Sequence, residues 1–175
     1  MDNAKDLLSK RKEKADGLKA DGINLFPNGF AVNHTIREIG DHLKSLADDQ
    51  QTDAVEFSVA GRMMAINRFG KSAFIRFKDR TGLMQAYVRK DKVGDSAYQL
   101  FKRLDVGDFV GITGSLFRTQ TGEWTILSIH IELLCKSTRP LPEKFHGVAR
   151  KVIGEDLVPE CFNRSWFEKH DVQPP

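Results

Sequence analysis

One aromatic side chain stands among cations on a predicted β-strand. Alternate residues of a strand face the same side, so Phe74 shares its face with Arg76 and Lys78. The residues of opposite parity are apolar and suit a buried face: Ala73, Ile75 and Phe77. An aromatic ring beside positive charge suits single-stranded nucleic acid, because a base can stack on the ring while cations hold the phosphates. The alternative is that Phe74 packs against helices that precede the strand.

The strand that follows carries a side chain able to choose between bases. If the alternating apolar residues of that strand point inward, Gln85 and Tyr87 lie on the face of Phe74. A glutamine side chain has two N–H donors and one carbonyl acceptor, so it can contact the edge of a base. Because stacking needs no particular base, we assign specificity to Gln85.

The net charge of +3 hides a local excess of basic residues. The segment from Arg62 to Lys90 contains eight basic residues and one acidic residue, Asp79. A basic surface on a nearly neutral chain indicates a polyanionic partner, and a solvated face without a partner is the alternative. The basic residues are Arg62, Arg68, Lys71, Arg76, Lys78, Arg80, Arg89 and Lys90.

Little else in the sequence indicates catalytic or metal chemistry. The five histidines are scattered, no Cys/His spacing fits a zinc site, and no Ser/His/Asp or paired-carboxylate arrangement stands out. The run Gly70-Lys71-Ser72 is similar to the end of a phosphate-binding P-loop, but Ala65 occupies the place of that motif's first glycine. We therefore expect no metal and no nucleotide cofactor in this segment, and we assign Lys71 to a phosphate contact.

The apolar segments of the chain are short. None approaches the roughly 20 residues of a membrane span, and the N-terminus lacks the apolar core of a signal peptide. We expect a cytoplasmic protein without a membrane partner. The two cysteines, Cys135 and Cys161, fit that expectation as thiols rather than as a disulfide.

The hydrophobic periodicity predicts helices first and a sheet afterwards. Two helices are expected, at residues 4–20 and from Thr35, where Thr35 and Glu38 form a capping box. From Ala54 the period changes to two. Five strands and one intervening helix are then expected, the strands at about 54–67, 72–78, 83–89, 109–117 and 124–134 and the helix at 96–104.

This order of elements fits a small closed barrel. The first predicted strand is long enough to bend, and both it and the fourth contain glycine, which suits a bend or bulge. The fold class is therefore mainly β with helices: a five-stranded oligonucleotide/oligosaccharide-binding (OB) fold barrel preceded by an N-terminal helical extension. The binding face of that barrel is formed by strands 2 and 3, which the basic segment covers. A five-stranded barrel without a ligand is the alternative.

Several spaced motifs then resemble one family. In order they are VAGRMM, FGKSAF, MQAYVRKD, DVGDFVGITGSLFRTQTGEWTI and STRPLPEKFHG. Over about residues 8–147 the chain resembles the N-terminal region of bacterial-type class II lysyl-tRNA synthetases. The resemblance implies an anticodon-binding barrel in which Phe74 stacks on the central anticodon uridine and Gln85 and Glu123 contact its edge.

The phosphate contacts are assigned with one departure from the family. The family often carries two arginines before the Phe–Gly turn, where this chain has Asn67 and Arg68. We expect Arg68 to keep a phosphate or base contact, and we retain Asn67 as a candidate contact. Lys71 and Arg76 complete the predicted nucleic-acid-binding residues.

The resemblance also divides the chain. Residues 1–53 are expected to form the helical extension, residues 54–136 the OB-fold anticodon-binding domain, and residues 137–147 a linker toward a missing catalytic domain. Residues 148–175 form a tail that shows no resemblance and is left unassigned.

We therefore predict a tRNA anticodon-binding module of a lysine–tRNA ligase, with a lysine-type anticodon loop as its partner. As this chain it is not expected to be an enzyme, because the class II catalytic domain, which uses ATP and Mg in the family, is missing from it. Two alternatives stay open: a general single-stranded nucleic-acid-binding OB-fold protein and a structural fragment that mediates dimerisation. A homodimer stays open as well.

Overall fold

The computed structural model describes residues 2–45 and 55–141. The chain divides into two compact units, Met1–Pro140 and Leu141–Pro175, and the description that follows concerns the first. The predicted tail at 148–175, most of the predicted linker at 137–147 and Cys161 lie outside the described residues.

The described elements follow the predicted order. They are α1 (Asp2–Ala20), α2 (Ile36–Ser45), β1 (Phe57–Phe69), β2 (Ser72–Lys78), β3 (Leu83–Arg89), α3 (Lys90–Val93), α4 (Asp95–Lys102), β4 (Phe109–Arg118) and β5 (Trp124–Cys135). The β2–β3 hairpin has the predicted bounds. Helix α3 was not predicted, because four residues are too few to show a helical period.

The five strands form a closed barrel in the order β1-β2-β3-β5-β4. The first half of β1 pairs with β4 as far as Arg62, and from Arg62 onward the strand pairs with β2, with a register shift between Met63 and Ala65. Strand β3 closes the ring by pairing in parallel with β5, through residues 85–88 and 125–128. The predicted OB-fold barrel is thus confirmed, and the long β1 belongs to both halves of the sheet.

Two glycines inside the strands let the barrel walls approach closely. A Cβ atom at Gly61 would lie 2.8 Å from Cδ2 of Phe77, and one at Gly114 would lie 2.0 Å from the carbonyl oxygen of Leu127. Any larger side chain at Gly114 would therefore push β4 and β5 apart. The glycines predicted to permit a bend do so by removing a side chain where two backbones meet.

The core is filled by the parity predicted for the hairpin. Ala73, Ile75 and Phe77 are fully buried, as are Ala86 and Val88. Helix α4 adds Phe101 to the same core. The apolar residues of the hairpin thus face the barrel interior, which leaves Phe74 and its neighbours on the outer surface.

Helix α2 is fixed to the turn between β2 and β3. The predicted capping box is present, since the backbone N–H of Thr35 donates to Glu38 Oε2 (2.7 Å) and that of Glu38 donates to Thr35 Oγ1 (3.3 Å). The backbone N–H of Ile36 also donates to Asp79 Oδ2 at 2.9 Å. Partial burial opposes ionisation of Asp79, yet the hydrogen bonds from Ile36, Thr81 and Gly82 outweigh it and hold the pKa of this carboxyl below its usual value.

Helix α1 is attached to the barrel mainly by its second half. Leu18 is fully buried, whereas Leu7 and Leu8 are 44% and 39% exposed. The first turns of α1 therefore leave these two leucines partly in solvent. Nearer the middle of the helix, the Arg11 side chain donates to the backbone carbonyl of Val106 at 2.8 Å.

A buried ionic network lies beside this helix. Lys136 Nζ donates to Asp105 Oδ2 and to Asp108 Oδ2, both at 2.8 Å, and the side chains of Lys136 and Asp108 are fully buried. Burial opposes ionisation of Asp105, but hydrogen bonds from Lys136 and Lys14 outweigh it and lower the pKa of this carboxyl. We call Lys136, Asp105 and Asp108 the buried network.

Candidate nucleic-acid interface

Phe74 lies on the outer surface of the barrel in a row of aligned side chains. Asn67 faces Phe74 across β1 and β2, and Phe74 faces Tyr87 across β2 and β3. The rings of Phe74 and Tyr87 are stacked, with centroids 4.4 Å apart and planes at 19°. Phe69, at the end of β1, is 60% exposed, and its ring lies 6.3 Å from that of Phe74 at 75°. These three rings form an aromatic platform of the kind on which bases stack.

A cleft of about 530 Å³ lies against this platform, within the range of about 300–1,000 Å³ typical of small-ligand sites. Phe74, Asn67, Gln85 and Glu123 all line it. The structure therefore brings together four of the seven residues that the sequence nominated. The loop between β4 and β5, residues 119–123, forms one wall of the cleft.

Gln85 is held by a residue beneath it. Gln85 and Thr125 are aligned across the parallel β3–β5 pair, and Gln85 Nε2 donates to Thr125 Oγ1 at 2.9 Å. Thr125 is fully buried, whereas Gln85 is half-buried at the cleft surface. Its amide is therefore fixed on one side and faces the cleft on the other.

Arg76 and Glu123 form an ion pair beside Gln85. Arg76 Nη2 lies 3.1 Å from Glu123 Oε1 and 3.3 Å from Oε2. The two side chains are 50% and 42% exposed, so the pair contributes little to stability. The predicted phosphate ligand and the predicted base-edge acceptor are thus paired with each other in this structure.

Arg68 and Lys71 do not line the cleft. Arg68 follows Asn67 on a strand and therefore faces the other way. Its Nη2 donates to the carbonyl of Leu104 at 3.2 Å, and its guanidinium lies 5.7 Å from the ring centroid of Phe101. Lys71 is exposed in the turn between β1 and β2. A phosphate contact by Lys71 stays a prediction, and the structure gives Arg68 a place at helix α4.

The predicted basic surface is divided rather than continuous. On β2, Arg76 and Lys78 share the face of Phe74 because they alternate with it. On β3, Arg89 lies on the same face because it alternates with Tyr87, which is aligned with Phe74. Arg89 pairs with Asp91 at 2.7 Å and Lys90 with Asp95 at 3.1 Å. The acidic partners come from helices α3 and α4, which follow the basic segment in the chain, so the local count of charges overstated the free positive charge.

Sequence reasoning missed several residues of the cleft. Phe69 stands next to a turn, and its exposed aromatic ring is the signal that could have identified it. The rings of Phe117 and Tyr87 lie 6.1 Å apart, centroid to centroid. Phe117 belongs to β4, and the sequence alone does not indicate that the outer face of β4 adjoins the β2–β3 surface. Thr125, which lies beneath the cleft, gave no signal at all, because a buried threonine is ordinary in a β-strand.

Among residues 2–45 and 55–141, no group of three or more His, Cys, Asp or Glu side chains could hold a metal ion. Over the same ranges, no helix is both long enough and apolar enough to cross a membrane.

A closed five-stranded barrel with an aromatic and polar cleft on its β2–β3 surface defines the class of this domain. Residues 57–141 match the model of the tRNA anti-codon family, described as an OB-fold nucleic acid binding domain. This part of the chain is therefore an OB-fold domain.

Most of the chain is similar to bacterial lysine–tRNA ligases. It is 42% identical over 145 residues to the enzyme of Anaeromyxobacter sp. (strain K), a match that covers 82% of this chain and 28% of the relative. It is 42% identical over 149 residues to that of Enterococcus faecalis, covering 85% and 30%. For Bacillus subtilis the identity is 40% over 144 residues, covering 82% and 29%. The chain thus spans less than a third of the length of these relatives.

Proposed function

We propose that this chain binds the anticodon loop of tRNA and prefers the U-rich anticodons of lysine tRNAs. The observation that carries the proposal is the stacked Phe74–Tyr87 pair beside Gln85 in one cleft of an OB-fold barrel. The similarity to lysine–tRNA ligases supports the choice of tRNA.

Each cleft residue has a role in this proposal. The central base stacks on Phe74, and its edge meets Gln85 and Glu123. Glu123 leaves Arg76 on binding, so that its carboxylate and the amide of Gln85 share the one ring N–H that uracil presents at its edge, while Arg76 holds a phosphate. Asn67 lies across from Phe74 and is placed to contact the same nucleotide.

Filter binding tests the proposal with the full chain and two RNAs. One is a lysine tRNA and the other is the same tRNA with its central anticodon base changed. A wrong base is expected to cost about 1–3 kcal/mol in binding. Equal affinities for the two tRNAs would contradict anticodon recognition.

A general single-strand binder is the second candidate, and the exposed platform of Phe69, Phe74 and Tyr87 favours it, since stacking is tolerant of sequence. It predicts equal affinity for both tRNAs and for an unstructured oligonucleotide of similar length. Anticodon binding predicts a preference for the lysine tRNA over both competitors.

The remaining functional predictions also need experiments. We propose that this 175-residue chain acts by binding alone in the cytoplasm, without a metal or nucleotide cofactor. Lysine-dependent ATP–pyrophosphate exchange above background would contradict that proposal. Homodimer formation is tested by sedimentation, and a structural role in dimerisation predicts that Phe74→Ala disturbs association while RNA binding stays unchanged.

A further inference from the structure

The hydroxyl of Thr125 links two hydrogen bonds beneath the cleft. Gln85 Nε2 donates to Thr125 Oγ1 at 2.9 Å, and Thr125 Oγ1 donates to the backbone carbonyl of Glu123 at 3.3 Å. A carbonyl can only accept a hydrogen bond, so the threonine proton is directed toward Glu123. Only the lone pairs of Oγ1 are then left for Gln85.

This arrangement determines which end of the Gln85 amide faces the cleft. Because Oγ1 must accept, the NH₂ group of Gln85 is directed to Thr125 and the carbonyl Oε1 is directed away from it. Within the part of the chain that the structure describes, no hydrogen-bond donor is seen on Oε1. The cleft therefore presents a fixed acceptor at the place where the edge of a stacked base would lie.

We propose that Thr125 is a positioning residue for base selection. By holding the Gln85 amide in one orientation, it favours a base that presents a ring N–H at this edge, as uracil and guanine do. Cytosine and adenine present a ring nitrogen with a lone pair there, which would face the lone pairs of Gln85 Oε1. The proposal rests on the proposed function and adds the source of its base preference.

Burial of Thr125 keeps the Gln85 amide in one orientation. Its side chain is fully buried, between Gln85 on β3 and Phe117 on β4, with which it is aligned in register. Water therefore cannot replace the hydroxyl as the partner of Gln85. If the hydroxyl is removed, the amide loses its partner and can turn either end toward the base.

The test uses the full chain and two anticodon stem–loop RNAs that differ only in having uridine or cytidine as the central base. The measured quantity is the ratio of the two dissociation constants for wild type, Thr125→Val and Thr125→Ser. Valine has nearly the shape of threonine, and serine keeps the hydroxyl. We expect Thr125→Val to reduce the preference for uridine by about three- to tenfold, the effect of one hydrogen bond, and Thr125→Ser to keep it.

A structural role for Thr125 would change stability without changing this ratio. An unchanged ratio in Thr125→Val, or equal ratios in the valine and serine variants, would overturn the inference. The proposed function is tested separately by the loss of RNA affinity in Phe74→Ala. If Thr125→Val does not fold, wild type is tested with 3-methyluridine as the central base, which lacks the ring N–H. Binding as tight as that of uridine would overturn the inference, and a wild type that binds none of these RNAs overturns both proposals.

Discussion

The buried network and the cleft are built from the same kinds of side chain and differ in what is left unsatisfied. In the buried network, the fully buried Lys136 meets the fully buried carboxylate of Asp108 and that of Asp105, whose side chain is 18% exposed, each at 2.8 Å. In the cleft, Arg76 meets one carboxylate in a pair that is about half exposed, and Gln85 uses only its NH₂ group. A polar cluster that is buried and paired thus serves the fold, whereas one that keeps an acceptor and an aromatic face open is available to a ligand.

The largest effect is expected when the buried network is broken. Lys136→Met leaves Asp105 and Asp108 without their shared cation, and the loss of one partner of a buried pair costs about 3–5 kcal/mol. Urea unfolding measures the change. The matched control is Lys10→Met, which removes the exposed pair with Asp6 and should leave the unfolding midpoint unchanged. Equal effects of the two substitutions would contradict a larger contribution of the buried network than of the exposed pair.

Phe74→Ala is expected to act on the cleft alone. The loss of one stacking ring should weaken binding of the lysine tRNA by about 1–3 kcal/mol, with little change in unfolding, because Phe74 is outside the core. Phe26→Ala is the control, since Phe26 is 58% exposed and belongs to the connector between α1 and α2. If both substitutions weaken RNA binding alike, the platform is not the binding surface.

Arg76→Gln should have a smaller effect that depends on salt. Removal of an ion pair that is half exposed changes stability by roughly 0–1 kcal/mol. If Arg76 leaves Glu123 to hold a phosphate, the slope of log affinity against log salt concentration should fall by about 0.7. A titration of binding over a series of salt concentrations gives the slope. An unchanged slope would mean that Arg76 stays paired with Glu123 in the complex.

The smallest effect is the pH dependence of stability that Asp79 contributes, which is expected only in acid. Its pKa is held below the usual value of 3.8, so the unfolded chain binds a proton at a higher pH than the folded chain does. The stabilisation is present above pH 3.8 and is lost as the pH falls through the lower, folded-state pKa. Unfolding measured between pH 5 and pH 2 should show this loss in wild type and less of it in Asp79→Asn. Parallel curves for the two proteins would contradict a role for this carboxylate in fixing α2.

Local patterns were sufficient to predict the hairpin and the orientation of Phe74. Strict alternation of apolar residues along β2 and β3, with a turn from Asp79 to Gly82 between them, determines both strand bounds and the side on which each residue lies. The barrel followed from the number and spacing of the strands. These features depend on neighbours in sequence, which is why the sequence alone contains them.

The features that could not be predicted depend on contacts between distant parts of the chain. The pairing of Arg76 with Glu123 joins β2 to a loop 47 residues later, and no local pattern indicates it. Arg68 was assigned from the family's arginines before the Phe–Gly turn, whereas β1 continues to Phe69 and Arg68 faces the side opposite to that of Asn67. Its contact with RNA stays a prediction. The role inferred for Thr125 likewise exists only because β3 and β5 pair in parallel.

That parallel pairing is short, since only residues 85–88 and 125–128 take part. It nevertheless contains Gln85 and Thr125, so closure of the barrel and the proposed choice of a base depend on the same residues. If β3 and β5 separated transiently, Gln85 would lose its contact with Thr125. Phe74 and Tyr87 would stay together, because the β2–β3 hairpin joins them. We therefore expect that, on warming or in mild denaturant, the difference in affinity between bases disappears before the affinity for RNA itself is lost.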